Sequence, residues 1–246
     1  MSRWKASGIH LAISAALLSV LLAIIILLWY PGILFNVDGG WAGLRIVVGV
    51  DLVLGPLLTL VVFQAGKPSL KFDLTCIGLL QGVCMLAGMA IVYSERPVAL
   101  VLAYDTIYSL SAQEFEDYGK DIRVLDSVPG PLPKLIYTEL PENNIEAGII
   151  AMRGQFIGDP LFIQTERYRP LSGTDLGQVF RQESQVRASV SDELRQSLPE
   201  HCLLAKFISS RSGGYVCFDT EQSRLSRHFP PEYQLATELP QSGENE

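Results

Sequence analysis

The sequence predicts a membrane protein with three N-terminal transmembrane α-helices followed by a small α+β domain. The first observation is a set of three apolar runs, at residues 9–30, 44–63 and 74–93. A bilayer hydrocarbon core of about 30 Å needs about 20 helical residues, and each run is close to that length. The second observation is that charged residues are sparse up to residue 93 and frequent after it. These observations predict a transmembrane domain over residues 1–93 and an α+β domain over residues 94–235.

The first apolar run follows Arg3 and Lys5, as the apolar part of a signal peptide would. It is longer than a signal-peptide core, however, and its boundary at Trp29-Tyr30-Pro31 has no small-x-small cleavage site. Two further apolar runs follow it. We therefore expect the run at 9–30 to be retained as the first span.

The distribution of basic residues predicts the orientation of the spans. Arg3 and Lys5 precede the first span, and Lys67 and Lys71 lie between the second and third, whereas residues 31–43 contain no Lys or Arg. Because Lys and Arg are enriched in cytoplasmic loops, we expect the N-terminus to be cytoplasmic. Three crossings then place the C-terminal domain in the periplasm, if the membrane is a bacterial inner (cytoplasmic) membrane.

Asp51 is the most unusual residue of the predicted spans, because it lies near the middle of the second run. An ionisable side chain at that depth costs several kcal/mol unless it is protonated, hydrated or paired. Two interpretations stay open. In one, Asp51 contacts a partner helix or its charged terminus. In the other, a protonated Asp51 forms a hydrogen bond with a neighbouring span.

Glycine and proline residues also mark the second and third spans. Gly55-Pro56 predicts a bend in the second span, since proline removes one backbone hydrogen bond. In the third span, Gly78 and Gly82 are four residues apart, a spacing that lets helices approach closely. The approaching helix is either another span of this chain or a helix of another protein.

The sequence shows no pattern typical of a catalytic, cofactor or metal site. The histidines, His10, His201 and His228, form no His-Glu-x-x-His pattern, and no Cys-x-x-Cys, phosphate-binding loop or Gly-x-Ser-x-Gly is present. An intramembrane aspartyl peptidase needs two carboxylates sharing a proton, and only Asp51 lies deep in a span. The net charge of −7 offers no basic face for nucleic acid. We therefore expect a non-enzyme that takes no cofactor and binds no nucleic acid.

The C-terminal domain is predicted to combine strands and helices, with most of its apolar residues in the core. Strands are expected at 98–104 and 135–138, and a hairpin at 203–209 and 215–219. Helices are expected at 111–119, where Ser111 and Glu114 match a capping box, at 142–153 and at 175–198. The helix at 142–153 would carry Ile145, Ile149 and Met152 on one face. The polar, acidic tail at 236–246 is predicted to be disordered.

Cys202 and Cys217 form a candidate disulfide in this domain. An oxidising compartment such as the periplasm favours their pairing. The predicted hairpin would not set the two cysteines directly opposite each other, and a disulfide requires close Cα atoms, so the pairing stays open here.

Several segments resemble a known family. They are Trp4 to Leu11, Trp29-Tyr30-Pro31 with Leu34-Phe35, Gly39-Gly40, Gly49 to Leu60, Lys67, Asp73-Leu74, Gln81 and Arg96-Pro97-Val98. Together these segments resemble the TfpX/TfpZ-type type IV pilin accessory proteins, which share the three-span plan. The resemblance covers residues 1–110 best. It implies an inner-membrane protein, without enzymatic activity or cofactor, that helps the cognate major pilin to assemble into surface pili or remain there.

The resemblance suggests where the pilin binds. We expect the pilin helix to dock on the second and third spans, with Asp51 meeting its charged N-terminal region and the C-terminal domain recognising the pilin head. The candidate partner-binding residues are Asp51, Gly55, Pro56, Gly78, Gln81 and Gly82. The inner-membrane pilus assembly machinery is a further candidate partner, and membrane lipid surrounds the spans.

Two other functions remain open. A membrane-anchored periplasmic sensor or scaffold would tolerate exchange of its spans for unrelated helices. A small subunit of a transporter or membrane enzyme complex would co-purify with other multi-span subunits.

Overall fold

A computed structural model describes residues 2–233, which divide into two compact units. Within the described residues, the first unit comprises the chain up to residue 99 together with residues 110–134. The second unit comprises residues 100–109 and the chain from residue 135 onwards. The tail predicted to be disordered, at 236–246, lies outside the described residues.

The N-terminal part of the first unit is helical. Its elements are α1 (Arg3–Ile24) with a π-helical extension (Ile25–Trp29), α2 (Leu34–Val37), α3 (Gly40–Val48), a π-helical segment (Gly49–Leu54), α4 (Gly55–Val62) and α5 (Leu70–Ser94). The segments α3 and α4 and the π-helical segment between them follow one another without interruption, and are called the middle helix (residues 40–62) below.

The described residues contain two helices long and apolar enough to cross a membrane, Arg3–Trp29 and Leu70–Ser94. The expected second span is helical, but its apolar part, Gly49–Val62, is shorter than a bilayer requires. The structure thus identifies two candidate spans where the sequence predicts three.

These helices pack in alternating directions. The C-terminal ends of α1 and α5 lie together, because the rings of Trp29 and Tyr93 are 5.1 Å apart and the Tyr30 hydroxyl donates to the Val92 carbonyl at 3.2 Å. The middle helix runs antiparallel to α5, since the Gln81 side chain reaches Asp51 and Val47 packs against Gly88. The order of the three helices is therefore up, down, up.

Seven strands of the described residues form one mixed sheet in the order β4-β3-β1-β2-β5-β6-β7. They are β1 (Pro97–Ala103), β2 (Thr106–Ser111), β3 (Lys134–Thr138), β4 (Tyr168–Pro170), β5 (Cys202–Ile208), β6 (Gly213–Asp219) and β7 (Arg224–Phe229). Strand β2 pairs with β5 in parallel, whereas β3 with β4, β5 with β6 and β6 with β7 are antiparallel. The strands expected at 98–104 and 135–138 and the expected hairpin are confirmed.

The part of the chain that contains the strands also forms α-helices. They are α6 (Ala112–Asp117), α7 (Asn144–Met152), α8 (Leu176–Val179), α9 (Glu183–Ala188) and α10 (Asp192–Ser197). The capping box of α6 is confirmed, because Ser111 and Glu114 each bond the backbone amide of the other. The single helix expected over 175–198 is wrong, and α8, α9 and α10 stand in its place.

The chain breaks the expected long helix because polar side chains cap the shorter ones. The Asp175 carboxylate accepts from the Gly177 amide at 3.0 Å, and the Ser191 hydroxyl accepts from the Leu194 amide at 3.4 Å. The Arg195 guanidinium then donates to the carbonyls of Arg187 and Val190, at 3.0 and 3.1 Å. The bonds of Ser191 and Arg195 satisfy backbone groups that a continuous helix would have paired internally. The Asp175 cap stands at the start of the expected helix and is compatible with either arrangement.

The helix expected at 142–153 forms as α7, but its predicted apolar face is not part of the core. Ile145, Ile149 and Met152 are 79%, 55% and 61% exposed. Ile150, on the other side of the helix, packs instead in a core cluster with Ala103 and Leu161. These three side chains are therefore exceptions to the expectation that most apolar residues of this domain lie in its core.

The structure joins the sulfurs of Cys202 and Cys217. Cys217 pairs with Leu204 across the β5–β6 ladder, so the two cysteines are diagonal neighbours rather than direct partners. Their Cα atoms are nevertheless 5.3 Å apart, within the usual range for a disulfide. Both cysteines are buried, and their pairing in the cell stays a prediction.

Candidate partner-binding site

The candidate site is a cavity of about 210 Å³ in the first unit, between α1, the middle helix and α5. Its lining contains four of the six residues that the sequence predicted to bind a partner, Asp51, Gly78, Gln81 and Gly82. The other two, Gly55 and Pro56, lie one turn along the middle helix from Asp51 and are buried. The structure thus brings all six residues into one region.

Pro56 explains why Gln81 reaches towards Asp51. In the π-helical segment, amides donate to carbonyls five residues earlier, as the Gly55 amide does to the Val50 carbonyl. The same pattern would assign the Asp51 carbonyl to residue 56, but proline has no N–H to donate. The Gln81 side-chain amide donates to that carbonyl instead, at 3.4 Å. Gln81 therefore replaces the hydrogen bond that Pro56 removes.

Gly55 makes room for this replacement. A Cβ atom at position 55 would lie 2.0 Å from the Nε2 atom of Gln81, far inside van der Waals contact. Any side chain at position 55 would therefore displace the Gln81 amide. Gly55, Pro56 and Gln81 act as one structural unit, and that unit fixes the helical segment that carries Asp51.

The Asp51 carboxylate remains without such compensation. The residue is only 8% exposed and lines the cavity. Within residues 2–233, no donor forms a hydrogen bond with its side-chain oxygens. Asp51 contacts α5 through its backbone carbonyl, and its carboxylate shares the cavity with the His10 imidazole of α1. Both interpretations of Asp51 stay predictions. A buried carboxylate without a donor is costly, and π-helical segments such as the one around it often mark functional sites.

A polar stripe on α1 completes the site. The Ser7 hydroxyl donates to the Pro56 carbonyl at 2.9 Å, and the Nδ1 atom of His10 lies 2.6 Å from the Thr59 hydroxyl. Ser14 and His10 both line the cavity. Sequence reasoning missed this stripe, although Ser7, His10 and Ser14 share one helical face at spacings of three and four residues.

The surface of α5 at Gly78 and Gly82 is not covered by another part of the described chain. Added Cβ atoms at Gly78 and Gly82 would meet no other atom of the described chain within 4 Å. Gly88 differs, because a Cβ there would lie 3.3 Å from Val47. In this structure the pair does not pack closely against another span, and both interpretations of the Gly78–Gly82 spacing stay predictions. The pair instead forms an open lining of the cavity that contains Asp51.

The site places hydrogen-bonding side chains beside an open helix face. It combines one carboxylate, an imidazole, a hydroxyl and an amide with an open glycine face. No group of three or more His, Cys, Asp or Glu side chains able to hold a metal occurs in the described part of the chain. An arrangement of this kind can accept a hydrogen bond or a positive charge from a group that enters the cavity.

Comparison with known proteins identifies the family. The chain is 30% identical over 132 residues to the fimbrial assembly proteins of serogroups I and E1 from Dichelobacter nodosus, matching 53% of this chain and 48% of each relative. It is 32% identical over 109 residues to the fimbrial assembly protein of serogroups C1 and C2 from the same organism, matching 44% of this chain and 83% of the relative. The chain belongs to the fimbrial assembly protein family.

The chain spans about half the length of the first two relatives. No protein-family profile matches it, and no solved structure matches it. The relatives support the pilus-related part of the resemblance found in the sequence. The narrower TfpX/TfpZ-type assignment stays a prediction.

Proposed function

We propose that this chain is a TfpX/TfpZ-type accessory protein of type IV pili, which binds the cognate major pilin in the inner membrane. Binding would promote assembly of the pilin into surface pili, or its retention there. Membership of the fimbrial assembly protein family is the observation that carries the pilus-assembly role. The inner-membrane assembly machinery is a second proposed partner, and neither an enzymatic activity nor a cofactor is part of the proposal.

The helical part of the first unit supports placement in a membrane. Only 11% of the most apolar window of each long helix is buried within the chain. Monomeric soluble proteins rarely expose apolar surface on this scale, whereas lipid would cover it without cost. The up-down-up order of the helices fits three crossings, with a cytoplasmic N-terminus and a periplasmic C-terminal domain. This domain, predicted over residues 94–235, contains the sheet and is called the sheet domain below.

The cavity around Asp51 supports binding of a helix. Ionisable side chains inside membrane segments are rare, and they usually pair with a partner or mark a functional site. Asp51 has no donor among the described residues, and the open pair Gly78 and Gly82 borders the same cavity. The apolar N-terminal helix of the pilin would pass over these glycines and bring its charged N-terminal region to Asp51. The sheet domain would meet the pilin head.

Deletion of the gene tests the function as a whole. Surface pili sheared from the cells and total cellular pilin would be measured in the same cultures. We expect surface pili to be lost while total pilin is retained, which places the protein at assembly or retention. Normal values of both would contradict the proposal and favour a periplasmic sensor or scaffold.

The substitution Asp51→Asn tests the binding site. It keeps the size of the side chain but removes its charge, so we expect pilin co-purification and surface piliation to fall several-fold. Asp73→Asn is the matched control, because Asp73 pairs with Lys67 at 2.6 Å outside the cavity and should leave both quantities unchanged. If Asp51→Asn also leaves them unchanged, pilin recognition does not use Asp51.

A further inference from the structure

The second unit contains a cavity of about 630 Å³, separate from the cavity around Asp51. It lies where β1 and β3 end, because Leu102 and Thr138 both line it and the Thr138 hydroxyl donates to the Leu102 carbonyl at 3.4 Å. Residues of α7 and α8 complete the lining. Ligands of open α/β sheets often bind outside the carboxyl ends of the strands, and ligand pockets have volumes of about 300–1,000 Å³. This cavity is called the strand-end cavity below.

Most charged side chains of the strand-end cavity are paired within the chain. Its charged lining residues are three glutamates and two arginines. Glu146 pairs with Arg167 inside the lining. Glu139 accepts two hydrogen bonds of 2.8 Å from the guanidinium of Arg169, which lies outside the lining. One glutamate and one arginine of the lining are left over.

These two residues are Glu142 and Arg181. Neither side chain has a hydrogen bond or ion pair with another described residue, and both are ionised at neutral pH. The hydroxyls of Tyr104 and Tyr137 and the side-chain amide of Gln178 also have no hydrogen-bond partner within residues 2–233. A fitting ligand therefore needs one acidic group, one basic group and further groups that donate and accept hydrogen bonds.

The backbone of Tyr104 holds an unfavourable conformation at the wall of this cavity. Its φ is 58°, in the left-handed region that a residue with a bulky side chain rarely adopts. Contacts of the next residue enforce the turn, because the Asp105 carboxylate accepts from the Thr106 hydroxyl at 2.8 Å and pairs with Lys206 at 2.7 Å. Residues that are strained in this way cluster at ligand sites.

We propose that the strand-end cavity binds an extended peptide segment that carries one acidic and one basic side chain. Arg181 receives the carboxylate of this segment and Glu142 receives its cationic group, so no charge of the cavity stays unpaired. The backbone N–H and C=O groups of the peptide match Tyr104, Tyr137 and Gln178, whose side chains both donate and accept.

The size of the cavity and the sequence of the chain narrow the choice of ligand. A single amino acid also carries both charges, but a cavity of this volume takes a larger, drug-sized ligand. Residues 234–246 of this chain contain no Lys, Arg or His, so the peptide belongs to another molecule. Peptide binding here requires neither the membrane placement nor the Asp51 contact of the proposed function.

Calorimetric titration with a defined set of peptides tests the proposal. The full chain in detergent is titrated with acetylated and amidated tetrapeptides that contain one Glu, one Lys and two Ala in every order. We expect at least one order to bind. Replacing its Glu or its Lys by Gln should weaken binding several-fold, and high salt should weaken it as well, since both contacts are ion pairs.

Variants of the cavity assign the two contacts. Arg181→Gln should abolish the preference for Glu over Gln in the peptide, and Glu142→Gln the preference for Lys over Gln, while each variant keeps the other preference. Arg224→Gln and Glu193→Gln are the matched controls, because both residues are exposed and lie outside the cavity. They should change neither preference.

Tyr104→Gly separates binding from folding. Glycine adopts the left-handed conformation without strain. This variant should therefore unfold at a temperature no lower than that of the unmodified chain, while it binds the peptide several-fold more weakly. Unchanged affinity would contradict the placement of the peptide against Tyr104.

Two further outcomes would overturn the proposal. One is that no peptide of the set binds, or that a peptide with Gln in place of both Glu and Lys binds equally well. The other concerns glycerophosphoethanolamine, a phospholipid headgroup that carries both charges but no peptide groups. If this probe binds, loses affinity in Arg181→Gln, and no peptide binds, the cavity is a site for lipid headgroups instead.

Discussion

At the scale of single residues, the contacts around Pro56 make a testable stability prediction. Replacing glycine by alanine inside a helix usually stabilises it by up to about 1 kcal/mol. At Gly55 the added methyl group would displace the Gln81 amide and leave the Asp51 carbonyl unpaired, which costs about 1–3 kcal/mol. We therefore expect Gly55→Ala to lower the free energy of unfolding by about 1 kcal/mol, measured on the full chain in detergent.

The matched control is Gly8→Ala in α1, where a Cβ would meet no other atom of the described residues within 4 Å. This variant should be neutral or slightly stabilising. Gln81→Leu removes the same donor directly, so its effect and that of Gly55→Ala should overlap in the double variant. Fully additive effects would show that Gln81 does not compensate for Pro56.

At the scale of elements, the sequence predicted structure well where neighbouring residues decide it. The capping box at Ser111 and the strand after Arg96 depend on local chemistry, and both formed as expected. Strands β2, β4 and β7 were missed. Pairing with β3 and β6, rather than their own pattern, defines β4 and β7. The apolar periodicity of residues 142–153 likewise predicted α7. It did not show which face of α7 packs in the core.

The same distinction applies to the candidate site. Asp51, Gly55 and Pro56 are visible in the sequence, because a charge, a glycine and a proline are unusual within an apolar run. The roles of Ser7 and His10 are not visible, since their partners on the middle helix lie 49 residues away along the chain. Contacts between distant segments depend on how the helices pack, which a single sequence does not specify.

Helix α6 makes a prediction about pH. Burial raises the pKa of the Glu114 carboxyl above its ordinary value of 4.5, and the hydrogen bonds with Ser111 offset part of this rise. The folded state then holds this proton more tightly than the unfolded state does, so the contribution of Glu114 to stability falls as pH rises through its raised pKa. Glutamine also completes a capping box but does not titrate.

We therefore expect Glu114→Gln to gain stability relative to the unmodified chain as pH rises from the ordinary glutamate pKa towards neutrality. Thermal unfolding of both proteins over that range measures the difference. Ser111→Ala should lower stability by about 1 kcal/mol at neutral pH, because it removes the cap itself. A difference between Glu114→Gln and the unmodified chain that is independent of pH would show that burial does not affect the Glu114 carboxyl in this way.

The β5–β6 hairpin makes a prediction about redox state. Cys202 and Cys217 are separated by 15 residues, and closing a loop of that length stabilises a fold by roughly 3 kcal/mol in the chain-entropy description. We expect the double variant Cys202→Ser, Cys217→Ser to unfold about 2–3 kcal/mol more easily and to lose any response to reductant. The double variant Cys76→Ser, Cys84→Ser is the control, because both residues are free thiols on α5. It should keep the response to reductant. Four reactive thiols on chain isolated without reductant would contradict the pairing.

At the scale of the whole molecule, we expect the middle helix to cross the membrane. Its continuous helical segments and its antiparallel packing against α5 favour a crossing, although only Gly49–Val62 is strongly apolar. Two crossings and three crossings place the sheet domain on opposite sides of the membrane. Only three crossings from a cytoplasmic N-terminus leave this domain in the periplasm, where a pilin head could meet it.

Labelling of single cysteines distinguishes these arrangements. Ser2, Ala65 and Glu221 are exposed, and they report on the N-terminus, on the connection between the middle helix and α5, and on the sheet domain. In a chain with Cys76→Ser and Cys84→Ser, each is changed to cysteine and treated with a membrane-impermeant maleimide in cells whose outer membrane is permeable. We expect Glu221→Cys to react at once, and Ser2→Cys and Ala65→Cys to react only after the inner membrane is opened. If the middle helix does not cross, Ala65→Cys reacts while the inner membrane is still closed, and Glu221→Cys is protected. Two crossings return the sheet domain to the cytoplasm, where it could not meet the pilin head.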